Sequence, residues 1–146
     1  MSDAVASQTL AQDKHYAWMK FTNVGDGTGE SAVKKVDVSA LSPACSGVII
    51  RQIWWNVACC RVQLLWDATT DVVILTLGGG ALAGETEAAG SSTSGHWDFR
   101  GFPKGGLHSN AGAAPTGDVM LTCDQMVAAM DNHYTIILEL GKVNPE

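Results

Sequence analysis

Residues 48–56 read VIIRQIWWN, residues 61–66 read RVQLLW and residues 72–77 read VVILTL. These three segments are rich in β-branched and aromatic residues and have no helical period, which is typical of strands in a pleated, half-buried sheet. The link from Asp67 to Asp71 is short and polar, and its Asx side chains can bond the backbone and close a hairpin. The centre of the chain is therefore predicted to be a β-meander.

Length and composition predict one domain with part of its surface covered by partners. The chain has 146 residues, of which 46% are hydrophobic and only 16% charged, against about 25% charged in a typical protein. A chain of this length can bury a real core. The formal net charge of −6 and the total of 9 Lys and Arg residues argue against nucleic-acid binding, because phosphate contacts need clustered basic side chains.

The N-terminal sequence predicts synthesis in the cytosol, which in turn favours free thiols. No basic and apolar signal segment is visible at the N-terminus. The uncharged run over residues 72–84 is shorter than the roughly 20 apolar residues of a membrane span and is interrupted by glycines. We therefore expect no membrane association. The cysteines have no metal-ligand spacing and are expected to be buried thiols without a disulfide; they are Cys45, Cys59, Cys60 and Cys123.

Further strand-like segments surround the meander. They cover residues 15–22, 36–41, 96–100, 116–123 and 133–140, separated by loops rich in Gly, Ala and Ser at 78–95 and 101–115, with one possible helical turn at 126–130. About eight strands with turn-rich links predict an all-β protein, an antiparallel β-sandwich or jelly roll. Residues 1–14 are too polar to form a core and are predicted to be an N-terminal arm, with residues 15–146 as the single β-sandwich domain.

No residue pattern predicts a catalytic, cofactor or metal site. The four histidines stand singly and lack the H-x-H spacing of a metal-binding jelly roll; they are His15, His96, His108 and His133. A G-x-S-x-G nucleophile elbow is absent. Asp98 and Asp118 are the conceivable carboxylate pair of a glycosidase, but Asp118 follows Gly117 and fits a turn. The expectation is a protein that is not an enzyme and needs no cofactor.

Four stretches resemble small virion structural proteins of tailed bacteriophages. They are residues 20–41 (KFTNVGDGTGESAVKKVDVSAL), 64–73 (LLWDATTDVV), 106–119 (GLHSNAGAAPTGDV) and 134–142 (YTIILELGK). The resemblance implies an all-β subunit that decorates or cements the capsid exterior by binding across joints between subunits of the major capsid protein. A homo-oligomer is also expected, because closed cyclic symmetry lets identical subunits bury the apolar surface that the loops leave. The resemblance favours a trimer, since the local three-fold positions of a capsid offer a matching site.

The surface expected to carry these contacts combines the arm with exposed aromatic residues. The candidate interface residues are Thr9, Leu10, Tyr16, Trp18, Trp97 and Phe102. Two other functions stay open: a neck, tail or fibre-base subunit of the virion, and a carbohydrate-binding β-sandwich module. The second alternative rests on the five tryptophans, because Trp rings on a sheet face can stack on sugars. Trp54 and Trp55 are adjacent and are predicted to point to opposite faces.

Overall fold

The computed structural model describes residues 4–25, 29–78, 92–124 and 132–146. These residues contain nine strands and no α-helix, and strand makes up 64%, so the all-β prediction is confirmed. The strands are β1 (Ala4–Gln12), β2 (Tyr16–Gly25), β3 (Glu30–Val36), β4 (Gly47–Ala58), β5 (Arg61–Trp66), β6 (Val72–Gly78), β7 (Ser92–Asp98), β8 (Val119–Asp124) and β9 (Asn132–Val143).

The strands form two antiparallel sheets that enclose one core. The larger sheet has the order β1-β2-β9-β4-β7 and the smaller has the order β3-β8-β5-β6. Alternate residues of the central strands point into the space between the sheets, where Phe21, Ile53 and Leu138 of the larger sheet and Leu64 and Leu121 of the smaller one are fully buried. This layering is that of a β-sandwich, as the sequence predicts.

The meander prediction is wrong at one connection. β4 lies in the larger sheet, whereas β5 and β6 lie in the smaller one, so β4 and β5 are not neighbours. The chain changes sheets at Cys59 and Cys60, where Cys59 has a positive φ of 57°, a backbone conformation in which the chain turns sharply. The β5–β6 hairpin is confirmed, and the Asp71 Oδ1 atom accepts a hydrogen bond of 3.2 Å from the Ala68 amide in its turn.

The side chains of the four cysteines are all buried, as predicted. Cys59 and Cys60 both lie in the corner between the sheets, at 6% and 0% exposure. Burial raises the pKa of the Cys45 thiol above its usual range, since a thiolate loses solvation there. The thiols therefore act as small apolar groups of the core.

Three other predicted elements differ from the structure. Residues 36–41 do not form a strand: β3 ends at Val36, and Val38–Ala40 is a 3-10 turn whose N-cap Asp37 accepts a hydrogen bond of 3.0 Å from the Ser39 amide. The strand predicted at 96–100 begins earlier, at Ser92, and ends at Asp98. Residues 4–12, which the sequence analysis assigned to an arm, form β1 beside β2. The possible helical turn at 126–130 and residues 79–91 of the loop predicted at 78–95 lie outside the described residues, and residues 92–95 of that loop belong to β7.

A buried carboxylate on β3 is held by an ion pair within its own strand and by hydrogen bonds from the larger sheet. The Glu30 carboxylate on β3 lies 2.6 Å from the Lys35 Nζ atom, and these side chains are 6% and 2% exposed. Glu30 Oε1 also accepts hydrogen bonds from the Tyr134 hydroxyl of β9, at 2.5 Å, and from Asn23 Nδ2 of β2, at 2.9 Å. With three donors around it, the buried carboxylate has the partners that make its burial tolerable.

The Tyr134 hydroxyl gives an expected pH dependence. Burial, together with its hydrogen bond to Glu30, raises the pKa of Tyr134 well above the ordinary value of 10.0. The folded protein therefore keeps this proton while the unfolded chain loses it above pH 10. The contribution of Tyr134 to stability is complete below that pH and decreases above it, by at most about 1.4 kcal/mol per pH unit.

Chemical denaturation between pH 8 and pH 11 tests this expectation. Tyr134→Phe should reduce the alkaline loss of stability relative to wild type, because the variant has no hydroxyl to ionise in the unfolded state. An equally steep loss in both proteins would contradict the assignment.

Candidate binding face

One face of the larger sheet, turned away from the core, carries a cluster of aromatic and charged side chains. We call these residues the outer-face cluster; they are Tyr16 and Trp18 of β2, Arg51, Gln52 and Trp54 of β4, His96 of β7 and Glu139 of β9. The strand register places them side by side. Trp18 pairs with Glu139 and Glu139 with Gln52, while Trp54 pairs with His96 in the next row. Since residues paired across antiparallel strands lie on one face, four strands contribute to one surface.

A β-bulge in β4 brings Arg51 and Gln52 to the same face. The register between β4 and β9 shifts between Ile50 and Gln52, so that Arg51 is the additional residue. A bulge interrupts the strict alternation of a strand and re-aims its side chains. Arg51 extends towards Tyr16, and Gln52 binds Glu139. The polar part of the cluster depends on this local irregularity.

A chain of hydrogen bonds runs across the face from β9 to β7. Gln52 Nε2 donates to Glu139 Oε2 at 2.7 Å. Gln52 Oε1 lies 2.8 Å from His96 Nε2, which requires the proton of this imidazole to be on Nε2, because the amide oxygen can only accept. Arg51 Nε lies 3.8 Å from Glu139 Oε2. Gln52 and Glu139 are 8% and 7% exposed although they face away from the core, so their neighbours hold them in place.

The aromatic rings of the cluster pack against their neighbours. The Arg51 guanidinium lies 4.7 Å from the centre of the Tyr16 ring, a cation–π contact. The Trp54 and His96 rings stack with centres 4.8 Å apart and planes 10° from parallel. The Trp18 ring lies 6.2 Å from that of Tyr16 at 49°. These contacts restrict the rings to one arrangement while leaving part of each exposed.

Gly141 makes room for the Arg51–Tyr16 contact. It lies opposite both Tyr16 and Ile49 in the ladder. A Cβ atom on this residue would be 2.8 Å from Ile49 Cγ1 and 3.4 Å from Arg51 Cδ. The absent side chain lets the arginine extend from β4 over β9 to the tyrosine on β2.

A second aromatic group lies at the β7 edge of the larger sheet. We call it the edge cluster; it consists of Trp55, Trp97, Phe99 and Phe102, with consecutive ring centres 4.9, 6.1 and 5.6 Å apart. Trp97 and Phe102 are 43% and 52% exposed. These two side chains therefore expose apolar surface at this edge. Next to them, hydrogen bonds from Arg100 lower the pKa of the Asp98 carboxyl to about 2.

The structure divides the predicted interface residues among three places. Tyr16 and Trp18 lie together in the outer-face cluster. Trp97 and Phe102 belong to the edge cluster. Thr9 and Leu10 are exposed on β1, at the opposite edge of the same sheet. Trp54 and Trp55 do point to opposite faces, one to each cluster. The predicted interface residues do not include Arg51, Gln52, Trp54, His96 or Glu139. Alternation along β4 places Gln52 and Trp54 on one face, whereas the bulge and the strand register add the others.

The residues considered for catalysis have separate structural roles. Asp118 is buried; its carboxylate accepts a hydrogen bond from the Val38 amide at 2.9 Å and lies 2.9 Å from Lys34 Nζ. Asp98 binds Arg100 instead. Within residues 4–25, 29–78, 92–124 and 132–146, no three His, Cys, Asp or Glu side chains are grouped so that they could hold a metal ion.

Two shallow clefts flank the loop that follows β7. The first, of about 290 Å³, lies between the start of β4 and residues from His108 to Gly117. The second, of about 200 Å³, lies between this loop and β6. Neither contains a charged Asp, Glu, Lys or Arg side chain among its lining residues, so the outer-face cluster is the stronger candidate for recognition.

No known protein family matches the chain, and no curated protein or solved structure is significantly similar to it. Among the described residues, no helix has the length and apolar character needed to cross a bilayer.

Proposed function

We propose that this protein is a structural subunit of a bacteriophage virion, a decoration or cement protein that binds the major capsid protein on the outside of the head. The proposal combines the resemblance of residues 20–41, 64–73, 106–119 and 134–142 with the surface of the β-sandwich. The observation that carries it is the outer-face cluster, in which partly exposed aromatic and arginine side chains surround a hydrogen-bonded polar row on one sheet face.

The composition of this face suits a protein partner. Residues that dominate the affinity of protein interfaces are enriched in Trp, Tyr and Arg, and the cluster presents Tyr16, Trp18, Arg51 and Trp54. Their mutual contacts reduce the side-chain entropy lost on binding, since each side chain is already held in one arrangement. The hydrogen-bonded row of Glu139, Gln52 and His96 supplies a polar centre between the rings.

The ring geometry favours a protein partner over a sugar. A carbohydrate platform needs an open aromatic face on which a sugar ring can stack. Here Arg51 covers one face of Tyr16, and His96 covers one face of Trp54. One face of each ring is thus occupied by a charged or polar neighbour, which suits the mixed contacts of a protein interface.

Binding to purified particles tests both the proposed decoration role and the use of the outer-face cluster as the contact surface. Particles that lack the protein should regain resistance to heat when wild-type protein is added, with a copy number comparable to that of the coat protein. The double variant Trp18→Ala, Trp54→Ala should bind about 30-fold or more weakly, the effect of losing about 2 kcal/mol at interface hot spots. Quantitative binding isotherms on the stripped particles provide the measurement.

Val73→Ala is the matched control, because Val73 is 48% exposed on β6 of the other sheet. It should bind as wild type does. Unchanged binding of the double tryptophan variant would rule out the outer face as the contact. A copy number of about a dozen per particle would replace the cement role with a neck, tail or fibre-base position, and glycan binding in the absence of particle binding would favour the carbohydrate module.

A further inference from the structure

β1 is a strand that contributes no side chain to the core. Every residue from Val5 to Gln12 is exposed, including Val5 at 44% and Leu10 at 48%. The strand is nevertheless fixed along its whole length by its ladder with β2. At its end, Gln12 Oε1 accepts hydrogen bonds from the Ser42 amide at 2.9 Å and from Lys142 Nζ at 3.2 Å. β1 is thus a paired strand whose side chains on both faces are exposed to solvent.

The outer edge of β1 lacks the features that normally prevent strand pairing. Natural sheet edges carry charged residues, prolines, bulges or covering loops. The sequence of β1, AVASQTLAQ, has no charged residue and no proline, and its one irregularity lies near its end, between Thr9 and Ala11. Among the described residues, no strand pairs with this edge.

The other three edges are better protected. β3 has Lys34 and Lys35 and two register shifts. β7 ends at Asp98, which forms an ion pair with Arg100. β6 is uncharged, but Leu107, His108 and Asn110 lie beside its residue Ile74 across the smaller cleft. Among the edge strands of the described residues, β1 is the one that has neither a charged residue nor loop residues beside its centre.

We infer that β1 pairs with β1 of a second copy, antiparallel and across a two-fold axis at Ser7, so that the two larger sheets form one continuous sheet. A segment centred on Ser7 is complementary to itself in this arrangement: Val5 lies opposite Thr9 of the second copy, and Ala6 opposite Gln8. β-branched pairs such as Val and Thr stabilise neighbouring strands. The irregularity after Thr9 ends the paired segment.

The uncharged edge of β1 lets a second copy approach without like charges in contact. Each chain has a formal net charge of −6, so two copies repel each other over most surfaces. β1 offers backbone donors and acceptors without opposing like charges. Pairing between two β1 strands therefore brings no like charges together within the paired segment.

This contact deepens the proposed virion role and rests on it for its setting. A strand-edge contact buries less than the roughly 1,200–2,000 Å² of a standard interface, so we expect reversible dimers at micromolar or higher concentration. On a particle surface, the neighbouring bound copies raise the effective concentration and favour the pairing. The two-fold dimer then replaces the trimer expected from the family resemblance.

Sedimentation of the isolated full chain over a range of concentrations tests the pairing. Wild type should form a monomer–dimer equilibrium, and Ser7→Lys should weaken it at least about tenfold, since like charges opposed at an interface are strongly unfavourable. Ser94→Lys is the matched control, because Ser94 is exposed on β7 at the other edge of the same sheet; it should dimerise as wild type does. Circular dichroism should show both variants folded.

Disulfide cross-linking gives an independent readout. Ser7→Cys should form a disulfide-linked dimer under mild oxidation, because paired strand residues have Cα atoms about 4.5–5.5 Å apart, within disulfide range. Ser94→Cys should remain monomeric. Wild type that is monomeric at all concentrations, or a trimer lost equally in Ser7→Lys and Ser94→Lys, would overturn the inference. These experiments contain no particles. The β1 pairing can therefore be rejected while binding to particles is observed, and binding to particles can be absent while the β1 pairing is observed.

Discussion

Glu30→Ala is expected to lower the free energy of unfolding by about 3–5 kcal/mol, the cost of removing one partner of a buried ion pair. The Lys35 side chain is only 2% exposed, so its charge would remain in the interior without its carboxylate. The Tyr134 hydroxyl and the Asn23 amide would also lose the acceptor that they share. Since these donors come from the larger sheet and Glu30 from the smaller one, the substitution also removes polar contacts between the layers.

Two further variants separate the charge from the hydrogen bonds. Glu30→Gln keeps an acceptor of similar shape and should lose less stability than Glu30→Ala. The double variant Glu30→Ala, Lys35→Met removes the buried charge as well and should recover part of the loss. Urea denaturation measures all three against wild type. A double variant that is less stable than Glu30→Ala would show that the unpaired Lys35 charge is not the source of the destabilisation.

Gly117→Ala is expected to cost about 2–4 kcal/mol, from a strained backbone and overpacking together. Gly117 has a φ of 86°, and a Cβ atom there would be 2.2 Å from the Ser46 carbonyl oxygen and 2.9 Å from Gly47 Cα. Both neighbours are backbone atoms, so no side-chain rotation can relieve the overlap. The start of β4 or the residues before β8 must shift.

Gly112→Ala is the control for this substitution in the same loop. A Cβ atom on Gly112 meets nothing within 4 Å, so its thermal unfolding should be close to that of wild type. Equal melting temperatures for Gly117→Ala and Gly112→Ala would mean that the chain at Ser46 and Gly47 adapts without strain.

Alternation of apolar residues explains why much of the fold could be predicted. β2, β5 and β9 have a buried residue at every second position over most of their length, as at Ala17, Met19 and Phe21. β1 has no such signal, because none of its side chains from Val5 onward is buried. Its strand conformation comes from pairing with β2, a tertiary effect that local composition does not report. The change of sheet at Cys59 is likewise set by a backbone conformation rather than by a pattern.

The candidate binding face could be predicted only in part. Tyr16 and Trp18 stand two residues apart on a strand with one buried side, so their shared exposure follows from the sequence. Arg51 and Gln52 would be assigned to opposite faces by the same rule, and the bulge after Ile50 is what places both on the outer face. Glu139 and His96 join them through strand register across β9 and β7. Pairing between distant segments cannot be obtained from local periodicity.

The position of β1 also determines how the molecule bears mechanical load. Ala4 lies opposite Val24 at one end of the larger sheet, whereas Gln12 lies near Lys142 at the other end, where β9 finishes at Val143. A pulling force applied between Ala4 and Val143 therefore acts along the strands, in opposite directions on β1 and on its neighbours. Antiparallel hydrogen bonds run perpendicular to the strands, so the force shears the whole β1–β2 ladder at once instead of opening it one bond at a time.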